Sequence, residues 1–337
     1  MMLMSYETPL FPERASTIAH EVDALYLFSV AVSIFFTVLI FSLVIYLGVR
    51  YRRRSEAERG TYTKSLALEI TWSVIPLGIL LFLFVWGTKV FITISRPPSD
   101  AAEYYVVGKQ WMWKIQHPQG NREINDFHVP TGRPIKLTMT SEDVIHSFYL
   151  PAFRVKADVL PGRYTTVWFE ATKPGAYHIF CAEYCGVEHS RMIGTVYVME
   201  PAAYEAWLAG RQLGRPMTAS GEELFKTLAC ITCHKGDETA RGPILADLDG
   251  GEILLSNGRT VVSDDNYLRE SILNPGAKLV NGYQPLMPSY QGQISEEQLL
   301  QLIRYLKTLD QRTGAKTAAA DGGTAAAAPA VAEGASL

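Results

Sequence analysis

Cysteine is scarce in this sequence, and positive and negative charges nearly balance. Only four cysteines occur among 337 residues, and they form two close pairs, Cys181 with Cys185 and Cys230 with Cys233. A structural disulfide framework usually has its cysteines spread along the chain, so the sequence does not indicate a disulfide scaffold. The net charge of −3 provides no basic excess, and no nucleic-acid partner is expected.

Charged residues are missing from two long stretches near the N-terminus, residues 25–49 and residues 70–88. A helix needs about 20 apolar residues to cross a bilayer. One such stretch also fits a buried core helix, but two in succession with a basic loop between them argue against that alternative. We therefore expect two transmembrane helices at 25–49 and 70–95, joined by a loop at 50–69.

The orientation of this hairpin follows from its loop, because Arg and Lys tend to stay on the cytoplasmic side. The basic residues of the loop are Arg50, Arg52, Arg53, Arg54, Arg59 and Lys64. Both chain ends, and everything after residue 95, are then expected on the outer side of the membrane, periplasmic or extracellular. Residues 1–24 are acidic and precede a long apolar run, unlike a cleaved signal peptide, so we predict a periplasmic segment before a retained anchor.

Residues 103–201 carry short segments rich in Tyr, Val, Ile, Thr and Trp, separated by turns with Pro and Gly. Short strands at this spacing predict an all-β sandwich of about 100 residues. Residues 202–216 are expected to form a linker that contains a short helix.

The pattern becomes helical in residues 217–312. Ser220 and Ser295 each precede a Glu or Gln by three residues, the spacing of a capping box, so we expect helices to begin there. The last helix is expected to fade near Asp310. Residues 313–337 are rich in Ala and Gly and are predicted to be disordered. The expected fold class is a multidomain membrane protein with a two-helix hairpin, an all-β sandwich and an all-α domain.

Four side chains with metal-binding chemistry lie between two strand-like segments of the expected sandwich. Cys181, Cys185, His189 and Met192 follow one another at intervals of four, four and three residues. A loop that presents two thiols, one imidazole and one thioether suits copper better than other biological metals. A two-copper site, with both thiolates bridging the metals, uses all four side chains and needs one more imidazole from elsewhere.

Three alternatives compete with a two-copper site in this loop. A disulfide between Cys181 and Cys185 fits an oxidising compartment. Zinc accepts Cys and His but has little use for Met. A mononuclear blue-copper site needs two His and one Cys, which leaves the second Cys without a role.

The second cysteine pair belongs to the sequence Cys230-x-x-Cys233-His234, which is the attachment motif for c-type haem. Both thiols would bond to the haem, and His234 would bind its iron. The alternatives are a thioredoxin-like redox pair and half of a zinc site. Neither requires the adjacent His, and no further Cys pair follows to complete a zinc site.

The sixth iron ligand follows by elimination. Downstream of His234 the sequence has no other His and a single Met, Met287, which lies between prolines in Pro285-Leu286-Met287-Pro288. The prolines prevent a helix there and favour a rigid turn. Ligation by Met and His is typical of cytochromes c and raises the reduction potential. The alternative is a Met that fills a gap in the core.

Taken together, these motifs resemble subunit II of haem–copper cytochrome c oxidases, in the form with a cytochrome c domain fused at the C-terminus, as in caa-type bacterial oxidases. The resemblance covers about residues 20–312, and its loop pattern Cys-x-Glu-x-Cys-x3-His-x2-Met is highly specific. It implies that residues 103–201 form a cupredoxin domain with a dinuclear copper centre, CuA. Residues 217–312 would be a class I-like cytochrome c domain.

The same resemblance implies a complete set of copper ligands. In that family the second imidazole comes from an Asp-Val-Ile-His-Ser-Phe segment, which here contains His146. Two thiolates would bridge the coppers, one imidazole would bind each copper, and a thioether and a backbone carbonyl would be weak ligands. These ligands are Cys181, Cys185, His146, His189, Met192 and the carbonyl of Glu183. The other candidate histidines, His117, His128 and His178, are expected to lie at the surface or in the core.

The resemblance also implies roles for three side chains. Trp111 matches the Trp that passes electrons to copper, although a place in the sandwich core is the alternative. The Glu183 side chain matches a carboxylate that binds Mg²⁺ at the interface with subunit I. Glu69 matches a carboxylate at the mouth of a proton channel, and a plain interfacial charge is the alternative.

The implied function is electron relay in a respiratory oxidase. Electrons would pass from a cytochrome c or another periplasmic donor through haem c and CuA to subunit I, where oxygen is reduced and protons are pumped. The expected partners are subunits I and III, membrane lipid and a respiratory supercomplex. The alternatives are the copper subunit of a nitric oxide reductase and a membrane-tethered electron carrier or copper-handling protein without an oxidase.

Overall fold

A computed structural model describes residues 11–52, 64–210, 216–235, 240–245, 248 and 250–321, with side chains described up to residue 309. The chain divides into two compact units. The first comprises residues 1–115, 123–159 and 165–210, and the second comprises residues 116–122, 160–164 and 211–337.

Two long apolar helices open the first unit, α1 (Ala19–Arg50) and α2 (Leu66–Ser95). Both are strongly apolar, and the most apolar stretch of each is not buried by the rest of the protein. The apolar side chains therefore face outward, as a transmembrane hairpin requires. Of the basic loop, Arg53, Arg54 and Arg59 lie outside the described residues.

Both helices begin earlier than the uncharged stretches predict. The first turn of α1 contains Glu21, and the first turn of α2 contains Glu69. Carboxylates are favourable there because they face the positive end of the helix dipole. Ser65 caps α2 by accepting a hydrogen bond from the Leu68 N–H at 3.4 Å.

The ten strands of the sandwich follow α2 and occupy residues 102–199. They are β1 (Ala102–Lys109), β2 (Met112–Gln116), β3 (Arg122–Ile124), β4 (Asp126–Pro130), β5 (Pro134–Ser141), β6 (His146–Leu150), β7 (Val155–Val159), β8 (Thr165–Glu170), β9 (Gly175–Cys181) and β10 (Ile193–Met199). One sheet has the order β3-β2-β1-β5-β8 and the other β4-β10-β9-β6-β7. The predicted all-β sandwich is confirmed.

The core of the sandwich lies between the two sheets. In β10 the residues Gly194, Val196 and Val198 are buried, whereas their neighbours along the strand are more exposed. This alternation follows from the pleat, which points successive side chains to opposite faces. The largest fully buried side chains of the sandwich are Trp113, Tyr104, Phe127, Phe148, Phe153 and Phe169.

The N-terminal end of α1 and the C-terminal end of α2 are both attached to the sandwich. Near the start of α1, the Asp23 carboxylate accepts hydrogen bonds from Arg154 Nε and Nη2 at 2.7 and 3.0 Å, and both side chains are buried. Near the end of α2, the Trp168 indole N–H donates to the Thr93 carbonyl at 3.0 Å. Ser16 also forms a β-bridge with Ala171. The segment before α1 is thus part of the sandwich structure, which the sequence did not predict.

A short helix, α3 (Pro201–Gly210), follows the sandwich. Residues 211–215, the rest of the expected linker, lie outside the described residues. The Tyr204 hydroxyl lies 3.0 Å from the Tyr104 hydroxyl, and both rings are buried. This contact holds α3 against the sandwich.

Within its described residues, the second unit contains three α-helices, α4 (Met217–Thr227), α5 (Asp265–Leu273) and α6 (Glu296–Asp321), and a small hairpin of β11 (Glu252–Leu254) and β12 (Thr260–Val262). Helices α4 and α6 pack closely at Gly221. A Cβ atom at this position would lie 2.1 Å from the Gln301 carbonyl oxygen, so only glycine permits the approach.

The ends of two helices differ from the prediction. The capping box at Ser295 is confirmed, because Ser295 N donates to Gln298 Oε1 at 2.9 Å and Gln298 N donates to Ser295 Oγ at 3.2 Å. The box at Ser220 is wrong, because α4 begins earlier and Ser220 N already donates to the Pro216 carbonyl. Helix α6 also continues past Asp310 to Asp321 through an Ala-containing segment, and Ala is the best helix former. Residues 322–337 lie outside the described part of the chain.

Candidate metal centres

The sandwich brings the copper-loop residues and His146 together. His146 is the first residue of β6 and Cys181 is the last residue of β9. These strands pair antiparallel with Phe148 opposite Cys181, so the ladder fixes the separation of the two ligands. Met192 precedes β10, and its backbone carbonyl accepts a hydrogen bond from Cys181 N at 3.1 Å. Pairing of the strands thus closes the loop at both ends.

Six candidate donor atoms form one continuous cluster. The Cys181 and Cys185 sulfurs are 3.8 Å apart. Cys181 Sγ lies 4.0 Å from His146 Nδ1 and 3.2 Å from the Glu183 carbonyl oxygen. Cys185 Sγ lies 3.4 Å from His189 Nδ1 and 3.8 Å from Met192 Sδ.

The chemistry of this cluster fits two coppers. The sulfurs of Cys181 and Cys185 are unbonded thiols at its centre, and an imidazole lies beside each of them. Soft thiolate and thioether donors with imidazole select copper, and the thioether distinguishes the set from a zinc site. Among the described residues, His146, Cys181 and Cys185 are also the one group of His, Cys or acidic side chains with the spacing of a metal site.

The two thiols have different proton affinities. Burial raises the pKa of Cys181, but hydrogen bonds with His146 and with backbone N–H groups outweigh it, and the net pKa lies below its ordinary value. Burial raises the pKa of Cys185, and the neighbouring Cys181 thiolate raises it further. Cys181 is therefore the thiol that ionises first, and the thiolate is the form that binds metal.

Besides Trp111, two residues outside the ligand set contact the cluster, and neither has a role that the sequence predicts. The Asp143 carboxylate is hydrogen-bonded to His146 Nε2 at 2.8 Å, and Gln110 Nε2 donates to the Cys185 carbonyl at 2.8 Å. Asp143 belongs to the same short segment as His146, and that proximity was the one available signal. Nothing local to Gln110 indicates the contact, since Cys185 lies 75 positions away.

The other candidate residues of the first unit, Trp111, Glu183 and Glu69, differ in how deeply they are buried, and Trp113 is compared with Trp111. Trp111 lies half-buried between β1 and β2, and its indole N–H donates to the Cys185 carbonyl at 3.3 Å. Trp113 is fully buried in the core, where its ring packs edge-on against Phe148. The Glu183 side chain is exposed, and Glu69 is half-buried in the first turn of α2.

The other histidines of the sandwich lie apart from the cluster. His117 is buried in the turn after β2, and His178 is exposed on β9. His128 is stacked between the Tyr197 and Trp207 rings at 4.6 and 4.3 Å, with Nδ1 2.6 Å from Glu123. Their places at the surface or in the core agree with the expectation.

The second unit contains a cavity of about 510 Å³ that is lined mainly by apolar side chains. Its wall includes all four residues predicted to hold haem, namely Cys230, Cys233, His234 and Met287. Cavities of this size are typical of sites for small molecules and cofactors. The structure thus collects on one cavity residues that lie more than 50 positions apart in the sequence.

The local structure orients the haem motif. A short 3-10 turn, Cys230–Thr232, follows α4, and the His234 N–H donates to the Cys230 carbonyl at 3.0 Å. His234 Nδ1 lies 3.0 Å from the Pro243 carbonyl oxygen, which leaves Nε2 as the nitrogen for a metal. A carbonyl partner of this kind fixes the orientation of the ring.

Three family profiles match the sequence in the order of these structural parts. The transmembrane domain of cytochrome c oxidase subunit II matches residues 5–90, and its periplasmic domain matches residues 122–199. Residues 216–306 match subunit III of cbb3-type cytochrome c oxidase, a cytochrome c domain.

Whole-chain similarity decides the family. The sequence is 30% identical over 298 residues to cytochrome c oxidase subunit 2 of Alkalihalophilus pseudofirmus, covering 83% of this chain and 85% of that relative. The chain belongs to the cytochrome c oxidase subunit 2 family. It is also 28% identical over 249 residues to the subunit 2 of a Synechocystis species, covering 59% of this chain and 75% of that relative.

Among solved structures, the periplasmic domain of subunit II of cytochrome oxidase from Bradyrhizobium japonicum is 31% identical, with a TM-score of 0.33. It covers 34% of this chain and 95% of that domain. As a member of the subunit 2 family, the chain is a membrane-bound, copper-binding subunit of an oxidase complex and serves its electron transfer. The predicted family and fold class are confirmed.

Proposed function

We propose that this subunit 2 carries electrons from a periplasmic donor to subunit I, where oxygen is reduced and protons are pumped. A covalently bound haem c and a dinuclear copper centre, when bound, would each accept and release one electron. The main support for this function is the cluster of six donor atoms around Cys181 and Cys185. It comprises two thiols, two imidazoles, a thioether and a carbonyl, and neighbouring donors are 3.2–4.0 Å apart.

The loop residues hold this centre in a fixed geometry. We assign bridging roles to Cys181 and Cys185, one terminal imidazole each to His146 and His189, and a weak contact to Met192. Both cysteines, His146 and Met192 are buried. A rigid, buried ligand set changes little when its charge changes, which favours fast electron transfer. The backbone carbonyl of Glu183 is the second weak ligand.

In the second unit, Cys230 and Cys233 would bond covalently to the porphyrin, while His234 Nε2 and the Met287 thioether would ligate its iron. The apolar wall would exclude water from the bound cofactor, and a Met ligand would raise its reduction potential. The donor would be a cytochrome c or another periplasmic carrier. We propose that residues 103–201 form the copper-binding domain and that residues 217–312 form the haem-binding domain.

Placement in a bacterial inner membrane, with both metal-binding units on the periplasmic side, rests on the basic loop between α1 and α2. Trp111 is proposed to pass electrons to the copper centre, because its indole N–H contacts the Cys185 carbonyl. Glu183 is proposed to bind Mg²⁺ at the subunit I interface. Glu69 is proposed to lie at a proton-channel mouth. Subunit III, lipid and a supercomplex are further proposed partners.

Metal analysis and paramagnetic resonance of the purified full-length chain test this function. We expect two coppers and one covalent haem per chain, with the spectrum of one unpaired electron shared by two coppers. Zinc in place of copper, or no covalent haem, contradicts the proposal. Oxygen consumption by the co-purified complex, compared with nitric oxide consumption, separates an oxidase from a nitric oxide reductase.

A further inference from the structure

The Asp143 carboxylate connects a proposed copper ligand to a turn outside the copper loop. One oxygen, Oδ1, is 2.8 Å from His146 Nε2, and the other, Oδ2, accepts the backbone N–H of Gln110 at 2.7 Å. The Val144 N–H also donates to Oδ1 at 2.7 Å. These bonds hold both oxygens of the carboxylate in place.

The turn that Asp143 holds reaches the copper loop on its other side. Gln110 Nε2 donates to the Cys185 carbonyl at 2.8 Å, and Trp111 Nε1 donates to the same oxygen at 3.3 Å. The next residue, Gly186, has a φ of +124°, and a Cβ there would lie 3.0 Å from Gln110 Nε2 and 3.2 Å from the Trp111 ring. Only glycine lets the loop approach both donors.

These contacts form one continuous path from His146 through Asp143 and Gln110 to Cys185. We propose that Asp143 and Gln110 are positioning residues that act together. They hold the imidazole of His146 and the Cys185 ligand of the copper centre in a fixed position relative to each other. The inference deepens the proposed copper function and rests on it. It assigns to two side chains outside the ligand set a role in copper affinity and in the electronic structure of the site.

The carboxylate acts on His146 by fixing which nitrogen is free. An Nε2–H that donates to Asp143 leaves Nδ1 unprotonated, and Nδ1 is the nitrogen that lies 4.0 Å from Cys181 Sγ. Carboxylate partners of metal-binding imidazoles fix the ring and make it a stronger ligand, and their loss typically costs about 10- to 100-fold in metal affinity.

Gln110 acts on Cys185 through the backbone. A carbonyl that accepts two N–H donors cannot rotate without losing both bonds, so the peptide between Cys185 and Gly186 is held. Gln110 is itself exposed, and a single neutral hydrogen bond contributes about 0.5–1.5 kcal/mol. We therefore expect loss of its side chain to matter less than loss of Asp143.

The test measures copper affinity of the purified full-length chain by competition with a chelator, together with its paramagnetic resonance spectrum. Asp143→Ala should weaken copper binding by about 10- to 100-fold. It should also alter the copper hyperfine pattern, a signal that general destabilisation would not change in chains that still bind two coppers. Asp143→Asn keeps an oxygen that accepts from His146 and should restore part of the affinity.

Gln110→Ala should weaken binding by about 2- to 10-fold. If both residues belong to one path, the loss in the double variant is smaller than the product of the two single losses. Glu142→Gln is the matched control, because Glu142 is a neighbouring carboxylate that pairs with Lys109 and Lys114 instead of the copper ligands. Covalent haem content checks that each variant is produced and matured.

Native affinity and hyperfine pattern in Asp143→Ala would overturn the inference, as would an equal effect of Glu142→Gln. If the loss of copper affinity in the double variant equals the product of the two single losses, the joint action of the two residues is overturned. Failure of the unmutated chain to bind two coppers would instead overturn the proposed function, and with it the inference. The two failures are thus distinguishable.

Discussion

The two metal-binding regions of this chain are built in opposite ways. In the sandwich, four of the six candidate copper ligands are buried, and each donor atom lies within 4.0 Å of a neighbouring donor. In the second unit, the candidate haem-binding residues line a cavity of about 510 Å³. A cofactor bound there would take the apolar side chains of the cavity wall out of contact with solvent, which favours folding. The sandwich thus supplies its own core, whereas the second unit depends on its cofactor to fill its centre.

The strongest test of this comparison removes the haem. In Cys230→Ala/Cys233→Ala, covalent attachment is lost, and we expect the second unit to lose its cooperative thermal unfolding transition because the cavity stays unfilled. The copper spectrum of the same chain should remain native. Calorimetry and paramagnetic resonance on one preparation measure both. A second unit that unfolds cooperatively at the native temperature without haem would show that its core is self-sufficient.

The reciprocal change removes the copper. Cys185→Ser leaves one thiolate where two are needed, so the dinuclear centre and its shared-electron spectrum should be lost entirely. Haem content should be unchanged, and the sandwich should stay folded because its core does not depend on the metal. Metal analysis and circular dichroism are the measurements. Retention of two coppers with the native spectrum would refute the bridging role of Cys185.

A smaller effect is expected at the sixth iron ligand. Met287→Ala removes the thioether from the cavity wall and should lower the haem reduction potential, because a Met ligand raises it. Potentiometric titration followed by visible absorption measures the change, with the copper potential of the same chain as an internal control. A native haem spectrum and potential would mean that another group completes the iron coordination.

The smallest expected effect concerns the pH dependence of two thiols of the sandwich, Cys181 and Cys185, in chains prepared without copper. The pKa of Cys181 lies below its ordinary value, so its thiolate persists as the pH falls through neutrality. Burial and the neighbouring Cys181 thiolate raise the pKa of Cys185, so its thiolate forms only at alkaline pH. Alkylation by iodoacetamide, followed site by site with mass spectrometry, should therefore reach its half-maximal rate at lower pH for Cys181. Coincident pH profiles would contradict this difference.

Sequence patterns predicted the parts of this protein that depend on local order. The uncharged stretches became α1 and α2, the alternating segments became the sandwich, and the capping box at Ser295 formed as expected. The two metal-binding motifs could be recognised in the sequence because their side chains are close together along the chain and have specific chemistry. His146 was identified by family resemblance alone, since its nearest ligand partner, Cys181, is 35 positions away.

What the sequence did not predict depends on partners that are distant along the chain. Arg154 meets Asp23 across 131 positions, and Gln110 meets Cys185 across 75. Neither pair has a periodic signal, because each contact arises only after the strands have taken their register. The α6 end was misjudged for a different reason, since a composition poor in apolar groups was taken as disorder although Ala favours helix.

The attachment of the sandwich to both membrane helices has a mechanical consequence. A body tied by one point can swing about it, whereas a second tie away from the first removes most of that freedom. Here the Asp23–Arg154 pair ties the N-terminal end of α1, and the bond from Trp168 to the Thr93 carbonyl ties the C-terminal end of α2. We therefore expect the loop from Cys181 to Met192 to keep a constant position and tilt relative to the two membrane helices.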